Sequence, residues 1–195
     1  MKTYVLATAN PDKAREIEAI LAGLDIALVP RPLEVPEVIE DGETLEDNAL
    51  LKARALCEAT GMAAIADDTG LFVDALDGAP GVYSARYAGE EATYADNCAK
   101  MLRELTGVAL ESRTARFRTV AAVAYPDGSW FVVDGEVEGV IAESARGSHG
   151  FGYDPIFLPE GQRGRAMAEL SPDEKHALSH RGNAFRALAD ALAER

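Results

Sequence analysis

Short apolar segments alternate with segments of helical periodicity along the first half of the chain, and this alternation restricts the fold more than any other feature. Tyr4–Ala7 is a run of apolar residues, which is typical of a buried strand. After it, Asn10 predicts a helix N-cap and Pro11 the first helical position. Apolar residues then recur at helical spacing until Gly23, which predicts the end of the helix. The chain therefore opens with a strand–loop–helix unit.

The same alternation continues beyond this unit. Ile26–Val29 and Met62–Ala66 are apolar segments that predict two further strands. Between them, Thr44 and Asp47 have the spacing of a capping box, which predicts the start of a helix. Gly61 predicts where that helix ends.

Two long candidate strands occupy the middle of the chain. Ala115–Tyr125 and Trp130–Ala142 are separated by Pro126-Asp127-Gly128, which predicts two strands joined by a turn. Thr93 and Ser171 predict the starts of two later helices. Strands that alternate with helices and are followed by turn-linked strands indicate an α/β fold with a mixed sheet. Because no repeat or low-complexity linker interrupts the sequence, we expect a single domain over all 195 residues.

The composition narrows the classes of partner. Hydrophobic residues make up 48% of the chain, so a substantial core can be buried. The formal net charge of −14 repels nucleic-acid polymers and anionic membranes, and we expect neither as a partner. A small phosphate ligand senses only its own pocket, because charges beyond about 8 Å are screened at physiological salt. The acidic chain is therefore compatible with a nucleotide ligand.

The cysteines and the N-terminus bear on the compartment. Cys57 and Cys98 are too few for a disulfide framework and lack the spacing of a zinc site, which favours a reducing environment. The apolar stretch that ends at Ala7 is too short for a signal peptide or a membrane span. We expect a cytoplasmic protein.

The first candidate site is the loop Thr8-Ala9-Asn10-Pro11-Asp12-Lys13. A loop that enters a helix N-terminus presents unpaired N–H groups and the positive end of the helix dipole. Lys13 adds a positive charge where lysine is unfavourable to the helix, and an anionic ligand would remove that conflict. An ordinary capped helix with a solvated lysine is the alternative. The GxxxxGK[ST] pattern is absent, so this is not a Walker loop.

The second candidate site contains carboxylates. Asp67-Asp68 directly follow an apolar strand, where α/β proteins commonly place their sites. Magnesium takes one or two carboxylates together with waters and phosphate oxygens. Neighbouring residues of an extended chain point in different directions, so we expect one aspartate to face the metal. The acidic loop around Glu40, with Lys52 on the next helix, could complete the site. An aspartate-rich turn and a solvated acidic loop are the alternatives.

A glycine-rich loop, Gly147–Asp154, is a candidate for recognising a base. Its glycines allow the backbone to approach a flat ligand closely. Phe151 or Tyr153 could stack on the base, and Asp154 could accept hydrogen bonds from ring N–H groups. A flexible loop with incidental aromatic residues is the alternative.

A late helix carries further cations. On one continuous helix Lys175 and Arg181 would lie about 240° apart, so they reach one ligand only if the helix breaks, which we predict near Gly182. His176 and His180 are four residues apart and could instead face a metal ion, although no third ligand lies nearby in the sequence. A solvated helical turn remains an alternative for the whole segment.

The order of these segments resembles that of the inosine/xanthosine triphosphate pyrophosphatase family, the non-standard purine nucleotide pyrophosphatases, over nearly the whole chain. The motifs that carry the resemblance are Leu6-Ala7-Thr8-Ala9-Asn10 with Lys13, Asn48-Ala49 with Lys52-Ala53, Ala66-Asp67-Asp68-Thr69-Gly70-Leu71, Gly78-Ala79-Pro80-Gly81-Val82-Tyr83-Ser84-Ala85-Arg86, Gly150-Phe151-Gly152-Tyr153-Asp154-Pro155-Ile156-Phe157 and Ser179-His180-Arg181-Gly182. The resemblance implies Mg²⁺-dependent hydrolysis of ITP, dITP or XTP to the monophosphate and pyrophosphate. It also implies an elongated mixed sheet with flanking helices, two lobes with a central cleft, and a homodimer.

The resemblance further implies a role for each matching residue. Asp68 would be the catalytic base and a magnesium ligand, with Asp67 supporting it, and Glu40 would be the second ligand. Residues implied for the triphosphate or sugar are Thr8, Ala9, Asn10, Pro11, Asp12, Lys13, Lys52, Thr69 and Arg86. Residues implied for the base are Phe151, Gly152, Tyr153, Asp154, Lys175, His180 and Arg181.

Many members of that family have glycine where this chain has Ala9, which would cost about 1 kcal/mol if the backbone there required a positive φ. Two other functions remain open from the sequence. A related pyrophosphatase could prefer modified pyrimidines or methylated bases, and a nucleotide sensor could bind without cleaving.

Overall fold

A computed structural model describes residues 2–23 and 25–194 of the chain. None of the helices in these ranges is both long enough and apolar enough to cross a membrane. The strands are Lys2–Leu6 (β1), Ile26–Pro30 (β2), Ala64–Val73 (β3), Pro80–Gly81 (β4), Thr114–Ala124 (β5), Trp130–Ile141 (β6) and Phe157–Pro159 (β7). The helices are Pro11–Leu21 (α1), Leu45–Thr60 (α2), Tyr94–Glu104 (α3), Pro172–Leu178 (α4) and His180–Ala193 (α5).

The strands form one open sheet in the order β2-β1-β3-β5-β6-β7, with β4 paired to β3. Strand β1 runs parallel to both β2 and β3. Strand β4 is antiparallel to β3, and β7 is antiparallel to β6. Parallel and antiparallel pairs thus occur in the same sheet, and the predicted α/β fold with a mixed sheet is confirmed.

The helix starts follow the predicted capping residues. Asn10 Oδ1 accepts the N–H groups of Asp12 and Lys13 at 2.9 and 3.3 Å, and Pro11 is the first residue of α1. Thr44 caps α2 in the same way, accepting the N–H of Asp47 at 3.1 Å. These local contacts satisfy N–H groups that a helix leaves unpaired, which fixes where each helix begins.

Two local predictions are wrong. Strand β3 does not end before Asp67 but continues through it to Val73, so the two aspartates lie inside a strand. The break between the last two helices falls at Ser179, whose ψ of 155° is extended, while Gly182 lies within α5. Lys175 and Arg181 therefore lie on different helices, as predicted, but the break between the helices is at Ser179 and not near Gly182.

The chain divides into two compact units, which we describe separately. The first comprises residues up to Asp68, Thr119–Gly135 and residues from Arg181 onward. The second comprises Thr69–Arg118 and Glu136–His180. Each unit has its own buried apolar cluster, around Ile17, Ile65 and Phe185 in the first and around Met101, Phe117 and Phe157 in the second. The single domain, the two lobes and the cleft stay predictions.

Candidate active site

The loop that precedes α1 satisfies much of its own backbone. Thr8 Oγ1 accepts the N–H of Asn10 at 3.2 Å, and Asn10 Oδ1 accepts the next N–H groups of α1, those of Asp12 and Lys13. These three amides therefore already have partners. Positive charge for an anionic ligand must come mainly from the ammonium group of Lys13.

Ala9 causes no backbone strain in this loop. The non-glycine residues with positive φ in the described part of the chain are Asp77 and Arg163, so Ala9 has an ordinary backbone conformation. The chain does not need glycine at this position in the conformation that the structure shows.

Lys13 is partly buried against Asp67. Its Nζ lies 3.4 Å from Asp67 Oδ2. Burial lowers the pKa of Lys13, the negative charge of Asp67 opposes this, and the charges of Lys52 and Arg181 add to the lowering. Asp67 therefore provides the anion that the sequence analysis expected a ligand to provide for this lysine.

Asp67 is an anchoring carboxylate. Burial alone would raise its pKa, but the charges of Lys13 and Arg181 outweigh that effect and hold the pKa of Asp67 well below its usual range. Arg181 Nη2 lies 3.4 Å from Asp67 Oδ2. A carboxylate held ionised between two cations is a poor proton acceptor, so its role is to position its neighbours.

Asp68 differs from Asp67 in both partners and protonation. Its Oδ1 lies 3.4 Å from Lys52 Nζ, whereas its buried Oδ2 has no hydrogen-bond partner among the residues that the structure describes. Burial raises the pKa of Asp68, and although Lys52 and Lys13 oppose this, Glu40 and Asp67 add to it. An unpartnered buried carboxylate oxygen is costly by itself. Asp68 is thus arranged to take up a proton or a cation.

Lys52 connects Asp68 to the acidic loop. Its Nζ donates to Glu40 Oε1 at 2.9 Å and also faces Asp68. Burial lowers the pKa of Lys52, but the charges of Asp68, Asp67 and Glu40 more than compensate and raise it. The loop is attached to α2 nearby, where Asn48 Oδ1 accepts the N–H of Gly42 at 2.9 Å. The two carboxylates expected to hold a metal therefore share one ammonium group.

These residues fit a magnesium ion that arrives with phosphate. Within residues 2–23 and 25–194, no group of three or more histidine, cysteine, aspartate or glutamate side chains could hold a metal ion. Magnesium does not need such a group, because it commonly binds through one or two carboxylates, with waters and phosphate oxygens completing the shell. Glu40 and Asp68 are the two carboxylates, and Asp68 Oδ2 is an available ligand atom. His176 and His180 belong to no such group within these residues, so the structure does not support a metal site there.

Arg181 lies in the first unit. Its Nη1 donates to Glu16 Oε2 at 2.6 Å, and its side chain is 2% exposed. These carboxylate contacts favour an anchoring role, and its contact with a base stays a prediction. Sequence reasoning missed Glu16, although it follows Lys13 by three residues on α1 and therefore shares a face of that helix with it.

His180, next to Arg181, belongs to the second unit. Its ring stacks on Phe117 with the centroids 4.6 Å apart, and the residue is 4% exposed. This packing accounts for a histidine in an apolar environment. Its predicted contact with a base is not tested by this packing.

Three residues predicted to bind the base do come together in the second unit. Lys175 Nζ lies 2.6 Å from Asp154 Oδ2, and both side chains are almost fully buried. The same Oδ2 accepts the N–H of Phe151 at 2.9 Å. Lys175 Nζ also lies 4.8 Å from the centre of the Phe151 ring. A donor, an acceptor and an aromatic ring therefore meet at one place.

The chain conformation at this place requires glycine. Gly150 has a φ of +73°, and an added Cβ would lie 2.0 Å from Asp154 Oδ2. Any side chain at this position would disturb the ion pair of Asp154 with Lys175. We expected glycine in this loop to let the backbone approach a ligand closely. At Gly150 the backbone does approach another group closely, but that group is the Asp154 side chain.

The remaining predicted residues have varied surroundings. Tyr153 is buried and its hydroxyl donates to the carbonyl of Ser84 at 2.8 Å, which leaves Phe151 as the candidate for stacking. The Gly152 carbonyl lies 3.4 Å from Cys98 Sγ. Arg86 lies over the ring of Tyr83, 5.2 Å from its centre. Thr69 is partly buried in β3, next to the tightly packed Gly70.

Comparison with known proteins agrees with the motif order. Residues 4–191 match the model of the Ham1 family. The chain is 51% identical to the dITP/XTP pyrophosphatase of Geobacter sulfurreducens, over 98% of this chain and 97% of that protein. It is 48% identical to the dITP/XTP pyrophosphatase of Streptomyces coelicolor, over 100% of this chain and 98% of that protein.

Solved structures give the same result. A HAM1 protein from Coxiella burnetii has a TM-score of 0.91 and 41% identity, with both chains fully covered. A nucleoside-triphosphatase, dITP/XTP pyrophosphatase, from Mycobacterium abscessus has a TM-score of 0.77 and 45% identity, over 98% of this chain and 100% of that one. The resemblance inferred from the sequence is confirmed, and this chain belongs to the Ham1 family.

Proposed function

We propose that this chain hydrolyses the non-standard purine nucleoside triphosphates ITP, dITP and XTP to the monophosphate and pyrophosphate, which clears deaminated purines from the nucleotide pool. Relatives about half identical over nearly their full length carry the name dITP/XTP pyrophosphatase. The observation that carries the proposal is the buried, unpartnered Oδ2 of Asp68 beside the ammonium group of Lys52.

The first unit provides groups for the triphosphate and the attacking water. The ammonium groups of Lys13 and Lys52 neutralise charge on the phosphates, including the charge that develops on departing pyrophosphate. Asp68 accepts the proton of the water, which its raised pKa favours. A divalent ion held by Glu40 and Asp68 would supply further positive charge to the phosphate oxygens. Asp67 and Arg181 keep Lys13 and Asp68 in place.

The second unit provides groups for the purine. The 6-keto oxygen of hypoxanthine or xanthine accepts a hydrogen bond from Lys175, and the neighbouring ring N–H donates to Asp154. Adenine has the opposite pattern at both positions. Lys175 would face its 6-amino group, which is also a donor, and Asp154 would face its ring nitrogen, which is also an acceptor. A site built in this way rejects the wrong base strongly, because its buried groups would lose their partners.

Product analysis tests this function. With ITP and magnesium we expect inosine monophosphate and pyrophosphate, a similar result with XTP, and much slower turnover of ATP. Slower turnover of GTP is expected from the proposed function and not from Lys175 and Asp154, because guanine has the same 6-keto oxygen and ring N–H as hypoxanthine. Inosine diphosphate and phosphate would point to another class of hydrolase. Equal rates with ITP and GTP would rule out the selectivity for deaminated purines, and a preference for modified pyrimidines would replace it.

The metal role has its own test with a matched control. Glu40→Gln removes a proposed ligand. Glu37→Gln is the control, because it changes an exposed glutamate of the same loop that forms an ion pair with Arg31. We propose that the ion is Mg²⁺ and that Glu40→Gln raises the magnesium concentration needed for half-maximal activity. An equal shift in both variants would remove Glu40 from the metal site.

We also propose a cytoplasmic homodimer, as the resemblance drawn from the sequence implies. Analytical ultracentrifugation at micromolar concentration tests the oligomeric state, and a single species of monomer mass would contradict it. The net charge of −14 supports the absence of nucleic-acid partners. Salt-sensitive binding to DNA would contradict that part of the proposal.

A further inference from the structure

Tyr94 is a large aromatic residue beside the group of residues proposed to hold the base. It is the first residue of α3 and is 43% exposed. Its ring centre lies 5.8 Å from that of Phe151, with the two planes 41° apart. No motif of the sequence analysis included it, because it precedes Phe151 by more than fifty residues.

The start of α3 is fixed where Tyr94 stands. Thr93 and Asp96 form a reciprocal capping box, with the Thr93 N–H donating to Asp96 Oδ2 at 2.9 Å. One turn later Asn97 attaches the helix to the preceding segment, because its amide contacts the backbone of Ala85 and Ala88 at 3.0 and 2.7 Å. The position of the tyrosine backbone is therefore determined by the fold.

One face of α3 lies along the base-side loop. Cys98 follows Tyr94 by four residues and so shares its face of the helix. Cys98 Sγ lies 3.4 Å from the Gly152 carbonyl, and Tyr94 contacts Phe151 in the same loop. Two independent contacts thus hold this face of α3 against residues 151–152.

The chemistry of the two rings suits a purine. Lys175 Nζ lies over the Phe151 ring. Lys175 is expected to bind the edge of the base and Phe151 to stack on its face, so the two groups lie side by side. Aromatic rings interact at centroid separations of 4.5–7 Å. A second ring adjacent to Phe151 can therefore contact the same base, and each such stacking contact changes affinity by about 5- to 140-fold.

We propose that Tyr94 is a substrate-binding residue whose ring stacks on the purine together with Phe151. This inference rests on the proposed function, since it takes the base to lie at Phe151. The contact contributes to holding the base and not to the bond that is cleaved, so it affects KM and leaves kcat nearly unchanged.

The experiment compares Tyr94→Ala, Tyr94→Leu and Tyr94→Phe. We expect KM for ITP to rise about tenfold in the alanine and leucine variants, with kcat within about twofold, and to return to the wild-type value in the phenylalanine variant. Inorganic triphosphate, which has no base, should inhibit all four proteins equally. Trp130→Ala, which removes an exposed aromatic residue of the first unit, is the control and should leave KM unchanged.

Several results would overturn the inference. They are an unchanged KM in Tyr94→Ala, an equal loss of affinity for inorganic triphosphate, or a leucine variant that behaves like the wild type. Binding of ITP to Asp68→Asn and to the double variant Asp68→Asn/Tyr94→Ala, measured by calorimetry, separates this inference from the proposed function. Suppose that the wild type releases no pyrophosphate, but the double variant binds ITP about tenfold more weakly than Asp68→Asn does. That result would refute the proposed function and keep Tyr94 in the binding site.

Discussion

The acidic cluster of the first unit and the ion pair of the second show two ways of burying charge. In the second unit Asp154 and Lys175 pair with each other at 2.6 Å, and the Phe151 N–H adds a further hydrogen bond. In the first unit Asp68 shares Lys52 with Glu40 and retains one buried oxygen that no described residue meets with a hydrogen bond. A matched pair such as Asp154 and Lys175 is suited to discriminating between ligands. A ligand must replace the bonds that the two side chains make with each other, and a ligand with the wrong donors and acceptors cannot do so. An incompletely paired cluster is suited to binding ions and protons.

Asp68→Asn should have the largest effect on turnover. The substitution removes the proposed proton acceptor, and general-base catalysis contributes about 10²- to 10⁴-fold to rate. We expect kcat to fall by that factor while the free energy of unfolding stays the same or rises, because a poorly paired buried carboxylate is removed. Pyrophosphate release and urea unfolding measure the two effects, and wild-type turnover would exclude Asp68 from the mechanism.

Asp67→Asn, unlike Asp68→Asn, should have its main effect on stability. It leaves the partly buried Lys13 and the buried Arg181 without their shared carboxylate, and breaking a buried ion pair in this way costs about 3–5 kcal/mol. We expect a large loss in the free energy of unfolding, measured by urea denaturation. Glu16→Gln should cost less, because Asp67 faces both Lys13 and Arg181, whereas Glu16 pairs with Arg181. If Asp67→Asn proved as stable as the wild type, the distinction between an anchoring and a reactive aspartate would fail.

Asp154→Asn tests the matched pair of the second unit. A carboxylate only accepts hydrogen bonds, whereas the asparagine amide can also turn its N–H₂ group toward the ring nitrogen of adenine. Hydrogen bonds to charged groups contribute about 1.5–3 kcal/mol, so the preference for ITP over ATP in kcat/KM should fall at least tenfold. An unchanged preference would mean that selectivity arises elsewhere.

Glu174→Gln should have the smallest effect, at the start of the helix that carries Lys175. Hydrogen bonds from Arg165 and Ser171 lower the pKa of Glu174 to about 2. A carboxyl whose pKa is depressed in the folded state stabilises the protein above its ordinary pKa and loses that contribution as the pH falls toward 2. The difference in Tm between wild type and variant should therefore be small at pH 7 and should vanish near pH 2. A difference that grew with acid would contradict this sign.

The sequence predicted the local features of the fold well. Caps at Asn10, Thr44 and Ser171 depend on neighbouring residues, so they can be read from short segments. The extent of β3 could not be predicted in this way, because aspartates are unfavourable in strands and their partners, Lys13 and Lys52, come from other elements. The break at Ser179 is likewise decided by tertiary packing, since serine has no strong tendency to end a helix.

The candidate site was predictable in membership but not in arrangement. The sequence segments supplied Asp68, Lys52, Asp154 and Lys175 as candidates, the resemblance implied a role for each, and the structure supplies their pairing. Glu16 and Tyr94 were missed because each acts through a residue far away in the sequence, Arg181 and Phe151 respectively. An isolated glutamate on a helix or a tyrosine at a helix start gives no sequence signal for such a contact.

The ionic cluster of the first unit has a consequence for the order of binding. Four carboxylates, those of Glu16, Glu40, Asp67 and Asp68, surround three cations, those of Lys13, Lys52 and Arg181. Counted over these ion pairs of the described residues, the cluster has one more negative than positive group, and alone it gains little from a polyanionic nucleotide. A divalent ion reverses that excess, so the metal and the nucleotide should each increase the affinity for the other, by the same factor.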